Sequence, residues 1–305
     1  MDLLRKIDIH AHPARTRGLP GPNGETFPTA RELLDMYDAI GIEAGVMLPY
    51  INVECAYDTV TNREIAEMAA AHSGRLHWFC NIDPRQGGNA PDTDFSNFLT
   101  YYRALGACGV GEICGSLPLD DPRMLNLLKY CERCGLPVIF HFGGASGDYG
   151  VVDEFGLPRL EYVLDRFPAL KVLGHSQRFW SLISGDAPVD VWNGYPKGRV
   201  AAGGRVVELM RRYGNLCGDL SAGSGYNALS RDPEFACDFI EEFQDRLFYG
   251  TDFTRLSAVH GPAEKLAAFL DEAVLTGRIS RAAYEKVCRG NALRLIQAAR
   301  RFAAS

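Results

Sequence analysis

Ile7-Asp8-Ile9-His10-Ala11-His12-Pro13 reads IDIHAHP, a short apolar alternation that runs into two histidines separated by one residue. Side chains at i and i+2 on a strand share a face, so a strand over Lys6–His10 projects His10 and His12 the same way from its C-terminal end. Two imidazoles so placed can share one metal ion. The same pattern also arises when one histidine is a hydrogen-bonded core residue and the other lies on a loop. The rest of the chain has to decide.

Working outward, the pattern of short apolar run, turn and amphipathic helix repeats. Candidate strands are Lys6–His10, Ala44–Leu48, Leu76–Asn81, Cys108–Ile113, Pro137–His141, Lys171–His175, Leu216–Asp219 and Leu247–Gly250. They recur at roughly the length of one βα unit. The helices between them have readable ends. Thr29-Ala-Arg-Glu32 is a capping box, and Gly41 stops the helix it opens. Asp121-Pro122 and Asp232-Pro233 each place an N-cap carboxylate before a proline at the first helical position. Gly135 ends the helix that Asp121 begins, and Pro262 starts the helix after the last strand. Eight such units predict an α/β fold, a TIM or (β/α)8 barrel forming a single domain over 1–305. A doubly wound sheet would want a glycine-rich phosphate turn after the first strand, and no GxGxxG follows it.

Composition narrows the function classes. The chain has 305 residues, 47% of them hydrophobic, and a formal net charge of −6. That is enough for a sizeable core, and no block of basic charge suggests a nucleic-acid or acidic-membrane surface. The apolar runs are too short to span a bilayer. The opening MDLLRKIDIH passes directly into the motif without a leader pattern. Nine cysteines, an odd number at irregular spacing, point to reduced thiols. A soluble cytoplasmic protein is expected. Cys131 and Cys134 form a lone CxxC within a helical pattern, with no second CxxC and no redox βαβ context, and no structural or redox role is expected of it.

Polar residues recur at the C-terminal ends of the predicted strands. They are His10 and His12 on the first, Glu112 in GVGEICG on the fourth, His141 in PVIFHFGG on the fifth, His175 in KVLGHS on the sixth and Asp252 in LFYGTDF on the eighth. Four of the seven histidines fall at such ends. His72, His77 and His260 fall elsewhere and are read as structural. A parallel barrel brings all these ends to one mouth, where imidazoles and carboxylates match the preferences of zinc, manganese or iron.

In this order, IDIHAHP, GEIC, FHFG, GHS and YGTDF resemble the amidohydrolase superfamily of metal-dependent barrels. The closing GNALRLI (Gly290–Ile296) is similar to the terminal helix of its amidohydrolase-related branch, which contains hydrolases and nonoxidative decarboxylases. The resemblance implies that His10, His12, His141 and Asp252 bind a first metal. His175 then either polarises the substrate or binds a second ion. Many relatives carry a lysine where this chain has Glu112, and the GEI run is closer to relatives with a bridging glutamate. One divalent ion, most simply zinc with manganese or iron as alternatives, is expected, and two ions remain open. Glu112 is expected as a ligand or as a partner of one.

The chemistry implied is attack by metal-activated water on a small, anionic amide, ester or lactone, with Asp252 moving the proton and His175 stabilising developing charge. The alternative is nonoxidative decarboxylation of a small aromatic or unsaturated carboxylate. A third reading, phosphodiester hydrolysis, is favoured by the GEI run and opposed by the lack of a basic groove. Long connections at Pro13–Pro28 and Ser176–Gly203 are expected to line the mouth. From the second, Arg178, Trp180, Tyr195 and Arg199 are the expected substrate contacts, Arg178 foremost. Tyr50 and Asn52 are expected near the pocket, and Asp219–Asn227 is expected to orient His175 or to bond the ligand. Cys114 is expected to pack rather than ligate. The partner is a small molecule, with no nucleic acid or membrane. Barrels of this kind often pair, so a homodimer is one expected assembly.

Overall fold

The computed structural model describes residues 3–54, 56–145 and 148–303, so Cys55, one of the nine cysteines, lies outside the described residues. The strands are β1 (Lys6–Ala11), β2 (Ile42–Met47), β3 (Leu76–Trp78), β4 (Val110–Ile113), β5 (Val138–Gly143), β6 (Val151–Val152), β7 (Val172–His175), β8 (Leu216–Asp219) and β9 (Leu247–Phe248). Eight of them are the strands expected. The ninth, β6, was not expected: it is a short return of the loop after β5, pairing Phe142 with Val151.

The ladders are parallel and run β1-β2-β3 and β4-β5-β7-β8-β9. Two seams close the cylinder. Between β3 and β4, Cys80 N donates to Gly109 O at 3.0 Å and Gly111 N to Cys80 O at 2.7 Å. At the other seam, Ile9 N donates to Tyr249 O at 3.1 Å, Asp252 N to His10 O at 2.8 Å and His12 N to Phe253 O at 2.9 Å. The result is a (β/α)8 barrel in a single domain, as the βα rhythm predicts.

The interior is filled by alternate strand residues, including Ile7, Ile9, Val46, Phe79, Ile139, Leu173 and Phe248. Ala292 and Ile296, on the helix Asn291–Ala303, join the same cluster. The outer core lies between the sheet and the helices, and its residues include Leu33, Leu127, Leu160 and Leu266. Helix ends follow the expected chemistry. The Thr29–Glu32 capping box is formed, Asp121 and Asp232 cap their helices with proline in the first turn, and Gly135 takes the left-handed conformation at φ 63°. The connection from Ser176 to Gly203 is more ordered than a plain loop. It contains a short helix at Gln177–Trp180 and 3-10 turns at Ser181–Ile183 and Val189–Val191. No helix among the described residues is long and apolar enough to cross a membrane, and no disulfide links the described cysteines to one another.

Candidate metal centre

The ladder between β1 and β2 slips between Asp8 and Ala11. Such an irregularity re-aims side chains at a strand end, and beyond it His10 and His12 both reach the mouth. Their Nε2 atoms stand 2.8 Å apart. Each ring is held by its other nitrogen. His10 Nδ1 lies 2.8 Å from Asp219 Oδ2, and His12 Nδ1 lies 3.2 Å from the carbonyl of Leu48. Both acceptors call for a proton on Nδ1, so that whenever His10 gives up its second proton both Nε2 lone pairs face one point between the rings.

Two carboxylates complete the set. Glu112 Oε2 lies 3.8 Å from His10 Nε2 and 3.5 Å from His12 Nε2, and Asp252 Oδ1 lies 3.6 Å from both. Donors about 2.1 Å from one ion sit roughly 3–3.5 Å from each other. Facing lone pairs, two carboxylates and this spacing fit a divalent cation. The charge balance agrees. Burial alone would lower the pKa of His10, but the bond to Asp219 and the charges of Glu112, Asp219 and Asp252 push it up to about 10. A pocket that draws a proton this strongly is one that draws a cation.

The other oxygen of Glu112 faces the remaining histidines. Oε1 is 2.9 Å from His141 Nδ1 and 3.6 Å from His175 Nε2. Ligand atoms of Glu112, His141 and His175 form one compact group, and those of His10, His12 and Glu112 another. His141, expected beside His10 and His12, has its ligand atom in the group with Glu112 and His175, and Glu112 belongs to both groups. Burial would raise the pKa of Glu112, but the surrounding histidines hold it well below the usual carboxylate range.

Local sequence explains these placements. Gly111 sits at φ 135°, and a Cβ there would lie 2.4 Å from Ile139 Cγ2, so only glycine can precede Glu112 on this tightly packed strand. Asp252 follows β9 at φ 57°, a left-handed conformation that aspartate tolerates better than most residues. His175 Nδ1 is 3.2 Å from Asp219 Oδ2 and 3.0 Å from Ser221 Oγ. Burial would lower its pKa, but Asp219 wins and holds it above its ordinary value. Its Nε2 is 3.9 Å from Asp252 Oδ2.

The structure thus brings together His10, His12, Glu112, His141, His175 and Asp252. The loop residues divide. Arg178 pairs with Asp148 at 2.9 Å and lies 4.8 Å above the ring of Trp192, whose Nε1 bonds the Arg178 carbonyl. Gly144 makes room for it, since a Cβ there would fall 2.1 Å from Arg178 Nη1. Tyr195 is 49% exposed and accepts a bond from Gln177. Arg199 turns to solvent and pairs with Glu234. Trp180 requires a correction. It is 1% exposed, its Nε1 donates to Asp219 O at 2.7 Å, and its ring packs on Phe179 and Phe239. The short helix Gln177–Trp180 turns it into the core, away from ligand.

Tyr149, not anticipated from the sequence, also borders the centre, with the anticipated Cys114 and Ser221. Tyr149 packs edge-on to His141, stacks on Tyr50, and places its hydroxyl 3.4 Å from Glu112 Oε2. Cys114 Sγ donates to that hydroxyl at 3.0 Å, so the thiol packs as expected. Ser221 Oγ donates to Asp219 Oδ2 at 2.8 Å. Beside the centre lies a cavity of about 330 Å³ lined by Phe27, Tyr50, Tyr57, Thr254 and Arg255 among others. Phe27 and Tyr50 are the rings nearest His12 across that wall, at 6.4 and 5.7 Å. The Pro13–Pro28 connection supplies part of it, as its length suggested.

The closed barrel and this donor set define a metal-dependent enzyme of the TIM-barrel class. The chain belongs to the amidohydrolase family, whose model matches residues 7–297. Solved structures share the fold along nearly their whole length. A probable 2-pyrone-4,6-dicarboxylic acid hydrolase from Acinetobacter baumannii, with citric acid bound, is 14% identical over 96% of this chain and 100% of its own, with a TM-score of 0.60. The 5-carboxyvanillate decarboxylase of Sphingomonas paucimobilis is 17% identical over 97% and 99%, with a TM-score of 0.61. A dihydroxybenzoic acid decarboxylase from Polaromonas sp. JS666, with bound manganese, is 16% identical over 97% of each chain, with a TM-score of 0.56. Comparison with curated proteins finds no match.

Proposed function

We propose that this protein is a metal-dependent hydrolase acting on a small, anionic amide, ester or lactone. The observation that carries the reading is the position of Glu112. Its Oε2 faces His10 and His12, and its Oε1 faces His141 and His175. One carboxylate between two histidine pairs suits two adjacent ions, the arrangement that clamps both the attacking and the leaving oxygen. His10, His12, Glu112 and Asp252 would hold the first ion, and Glu112, His141 and His175 the second. Zinc is the simplest match to these donors, and manganese suits them too.

When bound, the metal makes water nucleophilic near neutral pH, lowering its pKa from 15.7 toward about 7. The chain does the rest. Asp252 is the one carboxylate of the set with substantial exposure, at 25%, so it can take a proton and return it to the leaving group. His175, its Nδ1 proton held by Asp219 and Ser221, would offer Nε2 to the second ion; in a one-ion site that nitrogen, carrying a proton, would instead stabilise charge on the substrate oxygen. The rings of Phe27, Tyr50 and Tyr57 give the neighbouring cavity an aromatic wall against which a small unsaturated substrate would pack. Arg178 beside β5 supplies a cation for a carboxylate, in exchange with Asp148.

That cation also supports a second reading, nonoxidative decarboxylation of a small aromatic or unsaturated carboxylate. Purified protein assayed for metal content, then screened on lactones, esters, amides and aromatic carboxylates with CO2 detection, separates the two. Hydrolysis without CO2 release supports the proposal; CO2 release with no hydrolysis replaces it with the second reading.

A further inference from the structure

Asp8 is fully buried at 0% exposure and takes no part in the chemistry above. Both of its oxygens are nonetheless saturated with donors. Oδ1 accepts from His10 N at 2.8 Å and from Thr251 N at 2.9 Å. Oδ2 accepts from Thr251 Oγ1 at 2.6 Å and from Tyr37 Oη at 2.7 Å. Thr251 Oγ1 lies in turn 3.2 Å from the His10 carbonyl and accepts from Phe253 N at 3.2 Å.

The location matters more than the count. The seam between β1 and the chain after β9 carries three backbone hydrogen bonds and the isolated bridge of Ala11 with Phe253 but, among the described residues, no continuous ladder. Asp252 itself is left-handed and cannot extend a strand. Yet this seam must hold Asp252 Oδ1 3.6 Å from both His10 and His12. Asp8 grips the backbone at His10 on one side and at Thr251, next to Asp252, on the other.

We propose that Asp8 is a positioning residue that fixes the His10–His12 pair against Asp252 across this seam. It acts on the ion through the two chain ends it ties together. The inference rests on the metal centre but not on which reaction that centre performs.

The test uses cobalt(II) as the probe on the full chain, read by calorimetric titration and by the visible spectrum of the bound ion. Asp8→Asn turns one acceptor into a donor facing donors, and is expected to weaken binding by about 10–100-fold, the range for outer partners of metal ligands, and to change the spectrum. Thr251→Val removes the hydroxyl tie and is expected to shift both in the same direction; it decides the matter if Asp8→Asn does not fold. Tyr37→Phe removes a donor that comes from the helix behind, and is expected to lower the melting temperature while leaving the spectrum as in the wild type. Wild-type affinity and spectrum in Asp8→Asn or, should that variant not fold, in Thr251→Val would overturn the proposal, as would a Tyr37→Phe spectrum altered as much as theirs. Failure of the wild type to take up cobalt would overturn it together with the metal centre. Cobalt uptake without hydrolysis would overturn only the proposed reaction.

Discussion

Asp219 Oδ2 lies 2.8 Å from His10 Nδ1 and 3.2 Å from His175 Nδ1, so one buried carboxylate orients two imidazoles. Burial would raise its pKa, but the two histidines hold it well below the usual carboxylate range. Asp219→Asn keeps the shape and changes the proton logic. An amide NH2 facing Nδ1 favours a lone pair there and sends the imidazole proton to Nε2, where it blocks the metal. Metal affinity should fall by about 10–100-fold, measured by equilibrium dialysis against zinc. Unchanged affinity would mean that Asp219 does not set these tautomers.

Glu112 makes a prediction about stoichiometry. With one oxygen toward each histidine pair, the wild type should bind up to two ions per chain at saturation, counted by elemental analysis. Glu112→Ala should lose at least one of them. Chelation should lower the melting temperature and zinc should restore it, because an ion that binds only the folded state stabilises it, by about 2.7 kcal/mol at a hundred times its Kd. A melting temperature indifferent to chelator and zinc would speak against a resident ion.

Much of this was legible because it is one-dimensional. A βα rhythm repeats along the chain, and a polar residue that ends an apolar run marks the mouth. That logic finds His10, His12, Glu112, His141, His175 and Asp252 without knowing any distance. It cannot say which ligand meets which, because the division of Glu112 between two pairs depends on the stagger of strands around the cylinder. Trp180 shows a different limit. Whether a tryptophan after β7 faces ligand or core depends on whether Ser176 starts a helix, and here it does. Gly218 held a clue, since a Cβ there would lie 2.7 Å from the Trp180 ring. Tyr149 was hidden for a related reason. Asp148-Tyr149-Gly150 reads as a turn, and only the return of the chain as β6 along β5 lays the tyrosine over His141.

Arg178 should govern affinity for anionic substrates. Its guanidinium is braced by Trp192 and paired with Asp148, whose side chain is 44% exposed and therefore easily displaced. A charged hydrogen bond is worth about 1.5–3 kcal/mol, so Arg178→Met should raise KM for a carboxylated substrate by about 10–100-fold and leave a neutral ester largely unaffected. Asp148→Asn should lower that KM by freeing the cation. Equal losses on charged and neutral substrates would assign Arg178 to loop packing instead.

Glu32 links the mouth to pH. Its carboxylate accepts from Thr29 N and Thr29 Oγ1, both at 2.9 Å, and pairs with Arg17 in the loop that borders the cavity. The bond from the Thr29 backbone, then Arg17, holds its pKa down to about 2 from an ordinary 4.5. A carboxylate depressed in the folded state adds stability that is present above the unfolded value and is lost as pH falls through the folded one. Its contribution is therefore full above pH 5 and fades between about 4.5 and 2. Glu32→Gln keeps a side-chain acceptor for the cap but gives up the charge. It should melt below the wild type at pH 7, and the gap should narrow as pH falls through that window, followed by thermal melts at constant ionic strength. A gap that stays constant from pH 7 to pH 2 would show that the box holds by shape alone, without the charge on Glu32.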